Sequence, residues 1–318
     1  MCWTCPPTAA AAEERDPNPS PRVEAFGMVE PQTIWLRVRE FEVTPASLVP
    51  YEPQPGDEIK PTTDRHGVVR SRTLLRNGIE AGTIAGPDDD LHVYLPRGRI
   101  GKPLDRSYAY KPDAYRVLVG DALSRVASMH VKRSPVGNGG GGPAVQHDLY
   151  LELAEPIDWE TEFGLLTPAV FGETNLKLTF GPMAQSPAVH ASHVGYRPSD
   201  PLKVAFLSQW MGTGGSYEGY AAGTPFQLRD AETGEIAFEG ETAMRLAKDA
   251  ESAGYRANGR NFAGTDVLVC DFSDFTGEGK FVVSVDGVGA SRPFEIGEGV
   301  WHDAFHLAMR GILHQRSG

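Results

Sequence analysis

Pro225-Phe226-Gln227-Leu228-Arg229, Asp230-Ala231-Glu232-Thr233-Gly234, Glu235-Ile236-Ala237-Phe238 is the stretch that decides the fold. Two short strand-forming segments flank five residues that begin with Asp and end with Gly. An Asp side chain can bond to backbone N–H groups two or three residues on, and Gly enters the left-handed region freely. The five residues therefore predict a turn, and the whole run a β-hairpin.

Working outward, 203–207 (Lys-Val-Ala-Phe-Leu) and 267–270 (Val-Leu-Val-Cys) read as further strands. Segments 279–285 and 292–296, on either side of Asp286-Gly287, predict a last hairpin. About seven short strands in roughly 110 residues predict an immunoglobulin-like sandwich over 186–298.

Upstream the period stays at two. Ile34, Leu36 and Val38 alternate with Trp35, Arg37 and Arg39, and Leu149, Leu151 and Leu153 share one face of a strand. Segments 93–95, 115–119 and 176–180 add strands. A first β-sandwich is therefore expected over 28–185, closing near Pro182–Pro187. Gly137-Asn138-Gly139-Gly140-Gly141-Gly142 is expected as a flexible loop tip or linker.

Residues 1–27 carry a short Ala run, two Glu and a Pro-rich stretch, without a basic n-region. They are expected as a disordered leader, or as an extension ahead of a true start near Met28.

From Val300 the period changes. Trp301, Phe305, Ala308, Met309 and Ile312 fall at spacings of four and three, one stripe of a helix. Segment 299–318 is expected as a single C-terminal helix whose Trp301, Phe305 and Ile312 form a domain interface. The fold class is thus all-β: two β-sandwich domains in series, the second immunoglobulin-like, then one helix.

The chain has 318 residues and a net charge of −12, with no basic face of the kind a nucleic-acid or anionic-membrane binder needs. No run of about 18 apolar residues predicts a transmembrane helix. No cofactor is called for.

Cys2 and Cys5 have the spacing of half a metal site but no second pair. Cys270 reads as a small core residue. Asp88, Asp89 and Asp90 cluster without a calcium-loop spacing and read as a solvated turn. His302 and His306 lie four apart on the helix, yet the Glu of a His-Glu-x-x-His motif is missing. Gly212-Thr213-Gly214-Gly215 lacks the Lys-Ser/Thr of a phosphate loop and reads as a strand connection. Asp271 and Asp274 are expected to make local backbone hydrogen bonds. No metal site is expected. Trp210, Tyr217 and Tyr220 cluster in a Gly-rich loop, where sugar rings could stack on them; they are the candidate substrate-binding residues.

Three stretches resemble the N-terminal Ig-like domain of glycoside hydrolase family 9, the cellulase type. The first is His193-Val194-Gly195-Tyr196-Arg197-Pro198 with Pro201 to Leu207, where the family usually has Asn-Gln for Ser192-His193. The second is Phe226 to Gly240. The third runs from Asp271-Phe272-Ser273-Asp274-Phe275 and Gly277 to Phe281, through Arg292 to Gly297, into Trp301-His302-Asp303-Ala304. Residues 28–185 are similar, more loosely, to the extra β-sandwich of some long members.

The resemblance implies a non-catalytic scaffold, cut where a helical catalytic barrel in cis begins. The parent activity it implies is inverting hydrolysis of β-glucan, in an extracellular or periplasmic setting. That chemistry needs two carboxyl groups across the scissile bond. In the family the base lies in an Asp-Ala-Gly-Asp phrase and the acid is a late Glu. Neither occurs in these 318 residues, so no catalytic residue is assigned. The alternative is a stand-alone carbohydrate-binding or adhesion module with β-glucan as its partner.

Overall fold

The structure, a computed structural model, describes residues 21–86, 90–172, 175–250 and 261–316. Cys2, Cys5, Asp88 and Asp89 lie outside the described residues, as do the first twenty residues of the expected leader. The described residues divide into two compact units: one holds Arg39–Leu104 and Pro135–Val145, the other Arg22–Val38, Asp105–Ser134 and Gln146 onward.

The smaller unit is built on a five-stranded antiparallel sheet. Its order is Ser47–Pro50, His92–Leu95, Ile79–Ala85, Val69–Arg76, Asp57–Thr63. Leu74, Ile84 and Val93 form its small core, with Tyr51, Ala81 and Leu91 packed beside them. Asn77 and Gly78 both have positive φ, 52° and 79°, and turn the chain between Arg76 and Ile79, which pair directly. Two such residues in succession suit the twist of a tight hairpin.

The glycine run is ordered rather than a loose tip. Gly137, Asn138 and Gly139 end the strand Ala122–Gly139, and the next strand starts at Gly142. A Cβ at Gly139 would overlap the carbonyl oxygen of Gly98, and Gly98 and Gly140 form a β-bridge. Glycine is needed there for backbone approach.

A seven-stranded sheet, most of whose residues belong to the larger unit, runs in the order Arg22–Glu30, Thr33–Glu40, Gly142–Leu153, Ala122–Gly139, Arg116–Val119, Thr161–Leu166, Asn175–Phe180. Its first strand starts at Arg22, inside the segment expected as leader, because its backbone finds a partner in the next strand. Leu149, Leu151 and Leu153 are buried as their alternation requires, and so are Ile34, Leu36 and Val38. Trp35 and Tyr150, on the opposite faces of their strands, are buried as well. Alternation alone would leave those two positions half-solvated.

Segment 184–186 is a clasp between elements. Met28 N–H donates to the Gln185 carbonyl at 3.1 Å, and Ser186 N–H to that of Ala290 at 2.8 Å. The rest of the unit folds as two facing sheets. One has the order Val189–His190, Val204–Leu207, Val267–Asp271, Ala243–Leu246. The other pairs Ile236–Glu241, Pro225–Asp230 and Gly279–Val285, with Gly289–Ala290 and Phe294–Ile296 alongside Gly279–Val285. Between them lie Leu207, Phe226, Leu268, Phe272, Val283 and Phe294.

The deciding hairpin forms as its turn chemistry requires. Asp230 Oδ1 accepts from the backbone N–H groups of Glu232 at 2.9 Å and Thr233 at 2.8 Å. Gly234 has φ 74°. The chain is therefore all-β, with sandwich layers and one long C-terminal helix, Val300–Arg316.

Candidate functional site

The phrase from His193 to Pro198 builds a corner of the second sandwich. The Tyr196 hydroxyl donates to the Val204 carbonyl at 2.5 Å, and its ring stands edge-on to Phe272 and Phe294 at 5.5 and 5.6 Å. Gly195 sits at φ 90°, where a Cβ would overlap the Glu295 carbonyl oxygen. The closeness has a purpose: Tyr196 N–H donates to that same carbonyl at 3.0 Å, and Gly297 N–H to the Tyr196 carbonyl at 2.9 Å. Lys203 is buried, its ammonium held by the carbonyls of Pro198 at 3.1 Å and Asp200 at 2.9 Å. Sequence reading found the phrase but missed the buried lysine, since a lone Lys at a strand start normally faces water.

The Gly-rich aromatic loop follows. Two of its three candidate aromatics turn inward. Tyr217 and Tyr220 pack against a cluster of Val29, Trp35, Tyr150 and Met211, their own rings 4.6 Å apart. The Tyr220 hydroxyl donates to the Val29 carbonyl at 2.9 Å. Gln209 Nε2 donates to the Tyr150 hydroxyl at 2.9 Å. Burial pushes the Tyr217 phenol up to about 12 and raises that of Tyr220 well above its usual value.

The 212–215 segment docks on the strand Ala122–Gly139. Val131 N–H donates to Thr213 Oγ1 at 3.0 Å, and a Cβ at Gly212 would overlap the Val131 carbonyl oxygen. The loop therefore joins the Ig-like sheets to the seven-stranded sheet. Trp210 differs from its neighbours: it is 42% exposed, with Gly264 against one side of its ring.

The terminal helix keeps little of itself inside. Val300 is buried, but Trp301 is 46%, Phe305 61% and Ile312 59% exposed. Trp301 Nε1 donates to Asp200 Oδ2 at 3.2 Å. The His302 and His306 rings lie 4.4 Å apart on this helix, tilted by 47°. Among the described residues no group of three or more His, Cys, Asp or Glu is placed to hold a metal ion. Cys270 is a buried free thiol, pushed up to about 12 by burial. Asp271 Oδ1 accepts from Ser273 N–H at 2.9 Å, a local bond.

One constellation was overlooked in the sequence. Asp148 is buried and takes three donors: Trp35 Nε1 at 2.9 Å, Arg37 Nε at 2.7 Å and Gln146 Nε2 at 2.9 Å. The Arg37 guanidinium lies 4.8 Å from the Trp35 ring centre. The signal was present, since Trp35 and Arg37 share a strand face, but their carboxylate is far off in sequence.

Two facing sheets joined by a short-strand network, with a tyrosine-pinned corner, define an immunoglobulin-like β-sandwich. Residues 184–290 match the family described as cellulase N-terminal Ig-like domain. Solved structures with a likeness include a metagenome-derived glycoside hydrolase family 9 endoglucanase, 25% identical over 36% of this chain, with a TM-score of 0.27. Another is a family 9 glycoside hydrolase of Bacteroides ovatus, 24% identical over 41% of this chain, with a TM-score of 0.29. The chain spans 18% and 19% of those two proteins' lengths. No curated protein matches it. Among the described residues no helix is long and apolar enough to cross a membrane.

Proposed function

We propose that this chain is the non-catalytic scaffold of a family 9 glycoside hydrolase, working in cis with a helical catalytic barrel. The carrying observation is the succession of a segment matching the cellulase-type Ig-like domain over 184–290 and a helix, Val300–Arg316, on which Trp301, Phe305 and Ile312 are exposed. Burying Trp301, Phe305 and Ile312 would contribute about 1.5–3 kcal/mol each, and paired helices of a barrel supply such a partner. The Ig-like unit then holds the first barrel helix through Val300 and the Trp301–Asp200 bond.

In this reading the parent hydrolyses β-glucan by inversion, with both carboxyl groups contributed by the barrel. An extracellular or periplasmic setting follows from a polymeric substrate. The purified chain is expected to release nothing from a chromogenic β-glucoside; robust release would place catalytic carboxylates within these residues and overturn the reading. Sequencing past codon 318 should reveal a helical domain carrying Asp-Ala-Gly-Asp, and a gene without one would also sink it.

A second reading, a carbohydrate-binding module, is favoured by the half-exposed Trp210 ring. In it Trp210 stacks on a sugar while Tyr217 and Tyr220 hold the loop. Affinity electrophoresis through soluble β-glucan separates the two. Retardation that disappears in Trp210→Ala supports the module, whereas unretarded migration leaves the scaffold.

A further inference from the structure

A cleft of about 340 Å³ opens in the larger unit where the strand Thr33–Glu40 meets the clasp segment and the start of the Ig-like sandwich. Trp35, Arg37, Gln185, His193, Arg292 and Pro293 are among its lining residues. Among the described residues no Asp or Glu lines it, although the chain carries 42 acidic residues against 30 basic ones. A basic cleft on so acidic a chain needs an explanation.

The two arginines differ in their freedom. Arg37 is held in place: its Nε is bonded to Asp148, and its guanidinium lies over Trp35. Asp148 accepts three donors, from Trp35, Arg37 and Gln146, and does not line the cleft itself. Its single charge offsets Arg37 and not Arg292. Arg292 is exposed, and its guanidinium has no hydrogen bond or ion pair with another described residue. The His193 ring is likewise exposed and unpartnered among them. Among the described lining residues the permanently charged side chains are thus Arg37, paired with Asp148, and Arg292, and Lys132 adds a positive charge close enough to act on the lining residue His190.

A guanidinium presents parallel N–H donors that match a carboxylate, and one held by a neighbour loses little freedom on binding. The volume lies near the lower end of the roughly 300–1,000 Å³ usual for ligand sites, the scale of one ring. Pro187 and Pro293 add an apolar wall, and Gln185 a neutral amide.

We propose that this cleft binds a small carboxylate ligand on the scale of a single acidic sugar, with Arg292 as its principal anchor and Arg37, His193 and Gln185 around it. The site is separate from the aromatic loop and from the terminal helix, and it stands whether or not the scaffold role does.

Sodium glucuronate is the probe and glucose its uncharged counterpart. Isothermal titration of the 318-residue chain is expected to give saturable millimolar binding of glucuronate and none of glucose. Arg292→Gln should weaken glucuronate binding by about ten-fold or more while leaving the melting temperature unchanged, since the side chain is exposed. His193→Gln should weaken it less. Four outcomes overturn the proposal: no saturable glucuronate binding, equal binding of glucose, the same heat from sodium chloride at equal ionic strength, or unchanged affinity in a folded Arg292→Gln protein.

Discussion

Gly195→Ala is expected to destabilise the Ig-like sandwich by about 3 kcal/mol or more, read as a fall in the urea midpoint of the chain. Two costs add. The backbone at φ 90° disfavours any side chain, and the new methyl would overlap the Glu295 carbonyl oxygen. That oxygen cannot simply withdraw, because it accepts the Tyr196 N–H at 3.0 Å. Moving the corner would also drag the Tyr196 hydroxyl from the Val204 carbonyl and disturb the rings of Phe272 and Phe294. A variant with an unchanged midpoint would mean that the corner relaxes freely, contrary to its bonding.

Trp35→Ala should cost about 4 kcal/mol, in the range for removing a buried indole. Trp35 is fully buried in the cluster that joins the seven-stranded sheet to the aromatic loop. Its loss opens a cavity beneath Tyr217 and Tyr220 and removes a donor from Asp148. A second readout distinguishes this from general loosening. The Tyr217 phenol, pushed up to about 12 by burial, should titrate closer to its ordinary value of about 10 once water reaches it. Spectrophotometric titration that still shows it near 12 would mean that the loop stays packed without Trp35.

Much of the fold was legible locally. The Asp230–Gly234 turn was readable because its donors and acceptor lie within five residues. The Leu149, Leu151, Leu153 face was readable because a strand's period is two. The helix announced itself by its change of period. The small sheet was harder to read, because most of its large hydrophobic residues, such as Ile79, are exposed. The glycine run was misread because its need for glycine comes from Gly98, some forty residues away.

The candidate sites were less legible than the fold. Composition could say that Trp210, Tyr217 and Tyr220 share a loop, but not that two of them face a sheet contributed by residues nearly two hundred positions earlier. Nor could it say that Asp148 would stand behind Trp35 and Arg37.

Sequence by itself determined the β class, the turn positions, the Ig-like phrase and the apolar stripe of Trp301, Phe305 and Ile312. Each of these follows from contacts or periodicities a few residues long. Tertiary structure alone decided which aromatics were left for solvent, why Gly195 and Gly139 must be glycine, and where an uncompensated arginine would border a cleft. Those depend on backbone approach and charge pairing between segments that meet only when the sheets have closed.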